Sequence, residues 1–327
     1  MNSLLDVHDL HVNYRPQTGC EIFALRGVTV GVAQGEILGV LGESGCGKST
    51  LAAALLGILP ANGRITKGNI LFEGERLLEQ GREELNRIRG ARISIIFQEP
   101  SAALHPTMRI GDQIAEVLRA HESLSSRERW ERVREVLSSV FSCDTDRIAL
   151  SYPHQLSGGQ RQRAIIAQAI ACRPSLLIAD EPTASLDAAT QMEILSLFRQ
   201  LNRELGLAMI FITHNPALLT SFADRVLVLY AGRAIEIGKT GSILSLPQHP
   251  YTEALLKCLP VLGRASGPRV GAELRVIPGD APDSSARLPG CSFEPRCSER
   301  IQVCREKEPP EVALEPHHAV RCFKRGE

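Results

Sequence analysis

Gly42-Glu43-Ser44-Gly45-Cys46-Gly47-Lys48-Ser49-Thr50 is the stretch from which the rest of the chain is read. An apolar run, Ile37-Leu38-Gly39-Val40-Leu41, precedes it, and a run of helix formers, Leu51-Ala52-Ala53-Ala54-Leu55-Leu56, follows. Strand, glycine loop and helix are the setting in which G-x-x-x-x-G-K-[ST] becomes a phosphate site. Glycines let backbone N–H groups wrap an anion, and the helix adds its positive N-terminal end. Lys48 is then expected on the β- and γ-phosphates, and the Ser49 hydroxyl on Mg²⁺. The stretch predicts a nucleoside triphosphate site.

Working outward, Leu4 to Tyr14 and Ala24 to Val32 read as strands, separated by the turn-rich Arg15-Pro16-Gln17-Thr18-Gly19. Gly68 to Phe72 and Arg92-Ile93-Ser94-Ile95-Ile96-Phe97 follow as strands. Ile110 to about Val140 turns helical, with alternating charges that form a solvated face. A helix is expected from Ser157 to Ala171, a buried strand over Ser175–Asp180, a helix over Ala188–Leu205 and a strand over Ala208–Thr213. Two strands, Arg225–Tyr230 and Arg233–Ile237, close this part. The alternation predicts an α/β fold with a mostly parallel sheet and antiparallel strands at the amino end. From about Leu246 proline, glycine and charge rise and periodicity fades, which puts a domain boundary there: residues 1–245 and 246–327.

Of 327 residues, 43% are hydrophobic, an ordinary value for a globular protein. Lysine and arginine together number 37, as do aspartate and glutamate, so bulk charge argues against nucleic acid or an anionic membrane as partner. Aromatics are only 4%, which argues against a base-stacking platform. The segment Met1-Asn2-Ser3-Leu4-Leu5-Asp6 lacks the basic and apolar regions of a signal peptide, and no apolar run is long enough for a membrane span. The expectation is a cytosolic chain that meets a membrane only through a partner.

Ile178-Ala179-Asp180-Glu181 delivers a carboxylate to the end of an apolar strand. After a phosphate loop this reads as a Walker B element, with Asp180 on Mg²⁺ and Glu181 polarising the attacking water. Taken alone, such a pair after an apolar strand more often caps a helix. Leu156-Ser157-Gly158-Gly159-Gln160, ahead of Arg161-Gln162-Arg163, offers a second hydroxyl and glycine amides at a helix start.

This pentapeptide together with the phosphate loop resembles the ATP-binding-cassette (ABC) ATPases. The resemblance spans about Leu4 to Gly241 and implies a RecA-like P-loop core, an antiparallel β subdomain and a helical signature subdomain over about 99–160. It implies ATP and Mg²⁺ as cofactors and a dimer in which Ser157, Gly158, Gly159 and Gln160 of one subunit cover ATP held by the other. Gln98 matches the Q-loop glutamine, which senses the γ-phosphate, reaches Mg²⁺ and meets the membrane partner. Ser185-Leu186-Asp187 matches the D-loop, His214 the switch histidine, and Tyr14 the position of an adenine-stacking aromatic, with a packing tyrosine as the alternative.

A narrower resemblance lies in the flanks. Gln98-Glu99-Pro100-Ser101-Ala102-Ala103-Leu104-His105-Pro106-Thr107 is similar to the Q-loop of oligopeptide, dipeptide and nickel importer ATPases, which usually carry Asn where His105 stands. His249-Pro250-Tyr251-Thr252, Ile277-Pro278-Gly279 and Gly290-Cys291-Ser292-Phe293-Glu294-Pro295-Arg296-Cys297 resemble their carboxy-terminal extension. In some of these ATPases the corresponding cysteines bind a [4Fe–4S] cluster. Cys291, Cys297, Cys304 and Cys322 are spaced C-x5-C-x6-C-x17-C, unlike the paired C-x2-C of common zinc modules. Four thiolates suit either iron–sulfur or zinc, and the expectation is a [4Fe–4S] cluster on these four residues, with zinc or unmetallated thiols as the alternatives.

The expected function is therefore the ATPase subunit of an importer for peptides or related small solutes, peripheral to the cytoplasmic face of the membrane. Its implied partners are two permease subunits, a second ATPase subunit and, indirectly, an extracytoplasmic solute-binding protein. A soluble ABC ATPase acting on DNA or ribosomes is the alternative; neutral charge and a single cassette without a long coiled-coil insertion count against it. A third reading makes the tail a redox sensor sitting on an ATPase.

Overall fold

A computed structural model describes residues 3–98, 103–258, 276–280, 282, 285, 289–315 and 317–325. Glu99, Pro100, Ser101 and Ala102 of the expected Q-loop therefore lie outside the described residues, as does the stretch 259–275.

Twelve strands are seen among the described residues: β1 Ser3–Tyr14, β2 Ile22–Ala33, β3 Ile37–Leu41, β4 Gly63–Phe72, β5 Glu75–Arg76, β6 Ile93–Ile96, β7 Leu176–Asp180, β8 Ala208–Thr213, β9 Arg225–Tyr230, β10 Arg233–Lys239, β11 Val312–Glu315 and β12 His318–Val320. They form two sheets. The smaller is antiparallel, in the order β2-β1-β4-β5, and is the amino-terminal sheet that the alternating pattern predicted. The larger runs β11-β12-β10-β9-β3-β8-β7-β6, parallel from β9 to β6.

The parallel strands are short apolar runs because helices and the second sheet cover both their faces. Every residue of β3, β7 and β8 is buried, as a central strand requires. At about 1.5–3 kcal/mol per buried aliphatic side chain, these three strands supply a large part of the core. One apolar cluster joins the sheet to the helices Ile110–His121, Ser126–Val140, Gly158–Ile170 and Ala188–Leu205; the other joins it to β1, β2, β4 and the helix Lys48–Leu55.

Two expectations change in detail. The helical pattern from Ile110 to Val140 is two helices, because Ser125 caps a new one: its Oγ accepts from Glu128 N–H at 3.3 Å, and the Glu128 carboxylate accepts from Ser125 N–H at 2.8 Å. The strand expected from Gly68 begins at Gly63, where pairing with the end of β1 extends it.

The larger difference is in the tail. The sheet does not close at β10, since β12 pairs antiparallel with β10 and β11 with β12. No alternating run marks these short strands; they form because β10 offers an edge and a buried acceptor. Glu236, 1% exposed, accepts from the N–H groups of Gln248 (2.7 Å) and His249 (3.0 Å) and lies 3.0 Å from His318 Nε2. His249 in turn caps the helix Pro250–Lys257, its Nδ1 accepting from Tyr251 N–H at 3.0 Å.

Burial, with Arg325 nearby, holds His249 down from 6.5 to about 3. The unfolded chain protonates this ring near pH 6.5 and the folded one does not, so its contribution to stability is intact above that pH and is lost as the pH falls toward 3. Between pH 6.5 and about 5 the loss should reach about 2 kcal/mol. His249→Asn keeps an acceptor for the cap and removes the titration, so urea unfolding of that variant should lack this part of the acid slope. An unchanged slope would assign the acid sensitivity to another group.

Candidate functional site

β3 ends at Leu41 and the loop passes into the helix Lys48–Leu55 at Gly47, whose φ is 110°. A Cβ there would stand 2.6 Å from the carbonyl oxygen of Ala24, so both backbone shape and space demand glycine. The Lys48 side chain folds under the loop. Its Nζ donates to the carbonyls of Gly42 (2.8 Å) and Glu43 (2.9 Å), and the residue is 6% exposed. Cys46 is also buried, which pushes its thiol up from the ordinary range; its Sγ is 3.9 Å from Lys48 Nζ.

The loop opens into a cleft of about 260 Å³ lined by Tyr14, Ser44, Gly45, Gly47, Lys48, Ser49, Thr50, Gln98 and Glu181, together with Ile22 and Ala24. Residues at or just beyond the ends of the first, second, third, sixth and seventh strands thus meet around one cavity. Gln98 is exposed just past β6. Tyr14 ends β1; its hydroxyl donates to Thr50 Oγ1 at 3.2 Å and its ring lies against Gly63. That ring thus forms part of the cleft wall, held by Thr50 and Gly63.

Asp180 closes β7 and is 6% exposed. Burial raises its carboxyl, while a hydrogen bond from Ser49 and the charge of Lys48 act against the rise. Ser49 and Asp180 therefore stand together, the pair that a Mg²⁺ ion at a triphosphate needs. Glu181 sits at φ 47°, a left-handed conformation unfavourable for a side-chain-bearing residue. Its N–H is held by Ile212 O at 3.0 Å, and its Oε1 lies 3.0 Å from Nδ1 of His214, just past β8. The turn aims the carboxylate into the cleft instead of along the strand.

Ser157, Gly158, Gly159 and Gln160 do not line this cleft. Ser157 caps the helix Gly158–Ile170: its Oγ accepts from Gln160 N–H at 3.2 Å, and Gln160 Oε1 accepts from Ser157 N–H at 3.1 Å. Ser157 and Gly158 are exposed. Asp187 caps the helix Ala188–Leu205 by accepting from Thr190 N–H at 3.0 Å and Thr190 Oγ1 at 2.7 Å. The two caps are neighbours, for a Cβ on Gly158 would touch Leu186 and one on Gly159 would press on Thr190. One chain thus carries the cleft at the glycine loop and, apart from it, a helix start exposed at Ser157 and Gly158.

All nine cysteines are free. Cys291, Cys297, Cys304 and Cys322 do converge: with His249, Phe293 and Pro309 they line one cavity of about 20 Å³, near the size that holds a single water. Among the described residues no three His, Cys, Asp or Glu side chains are grouped to hold an ion. Burial pushes the thiols of Cys291 (to about 11), Cys297 and Cys322 up, so the folded tail favours neutral thiols there.

Sequence reasoning missed what lies behind the phosphate loop. Tyr251 Oη accepts from Glu43 N–H at 2.9 Å, and Arg296 pairs with the Glu43 carboxylate. Neither residue belongs to a nucleotide motif, and no periodicity links positions 208 and 253 residues apart.

Comparison with known proteins agrees with this geometry. Residues 25–184 match the family described as ABC transporter, and residues 235–304 match the oligopeptide/dipeptide transporter C-terminal region. The chain is 41% identical over 324 residues to the dipeptide transport ATP-binding protein DppD of Bacillus subtilis, covering 99% of this chain and 95% of that one. It is 42% identical over 324 residues to the oligopeptide transport ATP-binding protein OppD of Salmonella typhimurium, covering 99% and 94%. Among solved structures it resembles the dimeric, post-hydrolysis ATP-binding cassette MJ0796 bound to ADP and Pi, at 28% identity and a TM-score of 0.64, covering 72% of this chain and 98% of that one.

The loop geometry separates two glycines. Gly47→Ala meets both a positive φ and the Ala24 carbonyl, and should cost about 2–4 kcal/mol and abolish triphosphate binding. Gly45→Ala, at φ 78° with open space around it, should cost only about 1–2 kcal/mol. Thermal unfolding and nucleotide titration of both variants check the order.

Proposed function

The chain belongs to the ABC transporter ATPases with an oligopeptide/dipeptide transporter C-terminal region, and on that premise we propose that it hydrolyses ATP to drive an importer of dipeptides, oligopeptides or related small solutes. The observation that carries the reading is the cleft in which the phosphate loop, Gln98 and Glu181 meet, with Asp180 hydrogen-bonded to Ser49 at its edge. Lys48 and the loop amides bind the β- and γ-phosphates, and Tyr14 supports the adenine. Ser49, Asp180 and Gln98 would hold Mg²⁺, which would supply charge neutralisation at the phosphate oxygens. Glu181 accepts the proton of the attacking water, and His214, 3.0 Å from that carboxylate, steadies it and the γ-phosphate. The chemistry is positioning and charge neutralisation.

The exposed Ser157–Gln160 surface supports a dimer in which each chain's signature loop covers its partner's ATP, with Asp187 at the interface. No helix among the described residues is long and apolar enough to cross a membrane. Association with it therefore falls to two permease subunits, reached through Gln98 and the helices after it on the cytoplasmic face, with a solute-binding protein feeding the permeases. The second ATPase subunit is either a copy of this chain or a paralogue. Neutral charge still disfavours the DNA- or ribosome-associated alternative.

Replacing Glu181 with Gln removes the base and leaves Asp180 and Lys48 in place. Hydrolysis should fall about 10²–10⁴-fold, while Mg·ATP still binds and the protein accumulates as a dimer on size exclusion. A parental hydrolysis rate would overturn the assignment.

For the tail, the four thiols around one cavity support a [4Fe–4S] cluster. The donor set fits in its chemistry: four thiols wall one space. The space itself is small, so a cluster would spread the segments that carry Cys291, Cys297, Cys304 and Cys322. Anaerobically purified protein should contain iron and acid-labile sulfide near four per chain, as such a centre requires, and Cys297→Ser should bleach it without loss of ATP binding. Protein from iron-replete cells that holds zinc, or no metal, would reject the cluster.

A further inference from the structure

Resting on the ATPase reading, we propose that Arg296 is a positioning residue of the ATP site: reaching in from the C-terminal extension, it neutralises Glu43 and sets the first turn of the phosphate loop for an incoming triphosphate.

Glu43 is held at every polar group it has. Its carboxylate takes a two-pronged pair from Arg296, Nη1 to Oε2 at 2.8 Å and Nη2 to Oε1 at 3.1 Å. Its N–H donates to Tyr251 Oη at 2.9 Å, and its carbonyl accepts from Lys48 Nζ at 2.9 Å. The amide of Glu43 is thereby spent on the protein, which makes the residue an anchor of the loop and leaves phosphate contact to the amides that follow.

The guanidinium is itself immobilised. Its side chain is 5% exposed, its Nε donates to Pro278 O at 3.0 Å, and Nη1 reaches Tyr230 Oη at 3.4 Å. Tyr230, Tyr251 and Phe293 pack against one another with ring centroids 4.5–5.4 Å apart, so both groups that hold Glu43 stand on one rigid aromatic cluster. A planar fork in a buried place suits a carboxylate better than a lysine would.

Charge supplies the reason for the contact. A triphosphate carries several negative charges, and a bare carboxylate one residue from Ser44 would repel it. Pairing with Arg296 cancels that charge and stops the side chain from swinging toward the anion.

The test uses the full chain and a fluorescent ATP analogue with Mg²⁺, alongside steady-state kinetics. Arg296→Gln should weaken analogue binding and raise KM about tenfold, the size expected when a charged hydrogen-bonded pair is broken, with kcat unchanged. Arg296→Lys should fall between parent and Arg296→Gln. The double variant Arg296→Gln, Glu43→Gln should bind better than Arg296→Gln alone, because the exposed charge is gone. Arg305→Gln, which breaks only the tail's own pair with Glu294, should leave KM at the parental value.

Arg296→Gln binding like the parent would overturn the proposal. So would a double variant no better than the single one with Arg305→Gln equally weak, since that pattern reports a loosened tail. A parental chain that binds no analogue would instead overturn the ATPase reading beneath it.

Discussion

A lysine ammonium buried beneath its own loop is the constraint on which the rest of the structure depends. Burying a charge is costly unless it is hydrogen-bonded and opposed. Lys48 meets both conditions locally: two loop carbonyls accept from it, and the Asp180 carboxylate lies close enough for their charges to act on each other. The loop must curl tightly to bring Gly42 and Glu43 over the ammonium, which is why Gly47 takes a backbone conformation closed to other residues. β7 must lie near the helix Lys48–Leu55 for Asp180 to reach Ser49. Strand order and loop shape are two consequences of one buried cation.

The acidic end of β7 divides its work by geometry. Asp180 continues the strand and stays buried, where its neighbours are Ser49 and Lys48. Glu181, one residue on, turns through a left-handed conformation that breaks the strand and swings its carboxylate to His214. Adjacent carboxylates with the same backbone chemistry thus face different tasks. The signature loop tells a complementary story: its helix-start amides are satisfied in part by Ser157 and Gln160, yet they open to solvent and away from the cleft.

The described residues of the extension pack onto the core of the cassette. Phe293 and Tyr251 join the same apolar cluster as the sheet, β12 pairs with the exposed edge of β10, and Glu236 ties the two together from inside. Its stability is borrowed from the cassette, and in return Tyr251 and Arg296 fasten the back of the phosphate loop.

The sequence by itself determined the elements whose signals are local. The glycine loop between a strand and a helix, the apolar runs of β3, β7 and β8, and the caps at Ser157 and Asp187 each follow from a few neighbouring residues, because turn geometry and helix starts are set within one or two turns of chain. The motif residues lining the cleft were legible for the same reason. Where the short strands of the tail would pair, and which residues stand behind Glu43, had no local signal. β11 and β12 are three or four residues long and acquire strand geometry only from the edge they meet. Arg296 is an unremarkable cation among cysteines and prolines until the fold carries it 253 positions back to Glu43. Tertiary structure alone decided those contacts, since their partners are chosen by packing between distant segments and not by any pattern along the chain.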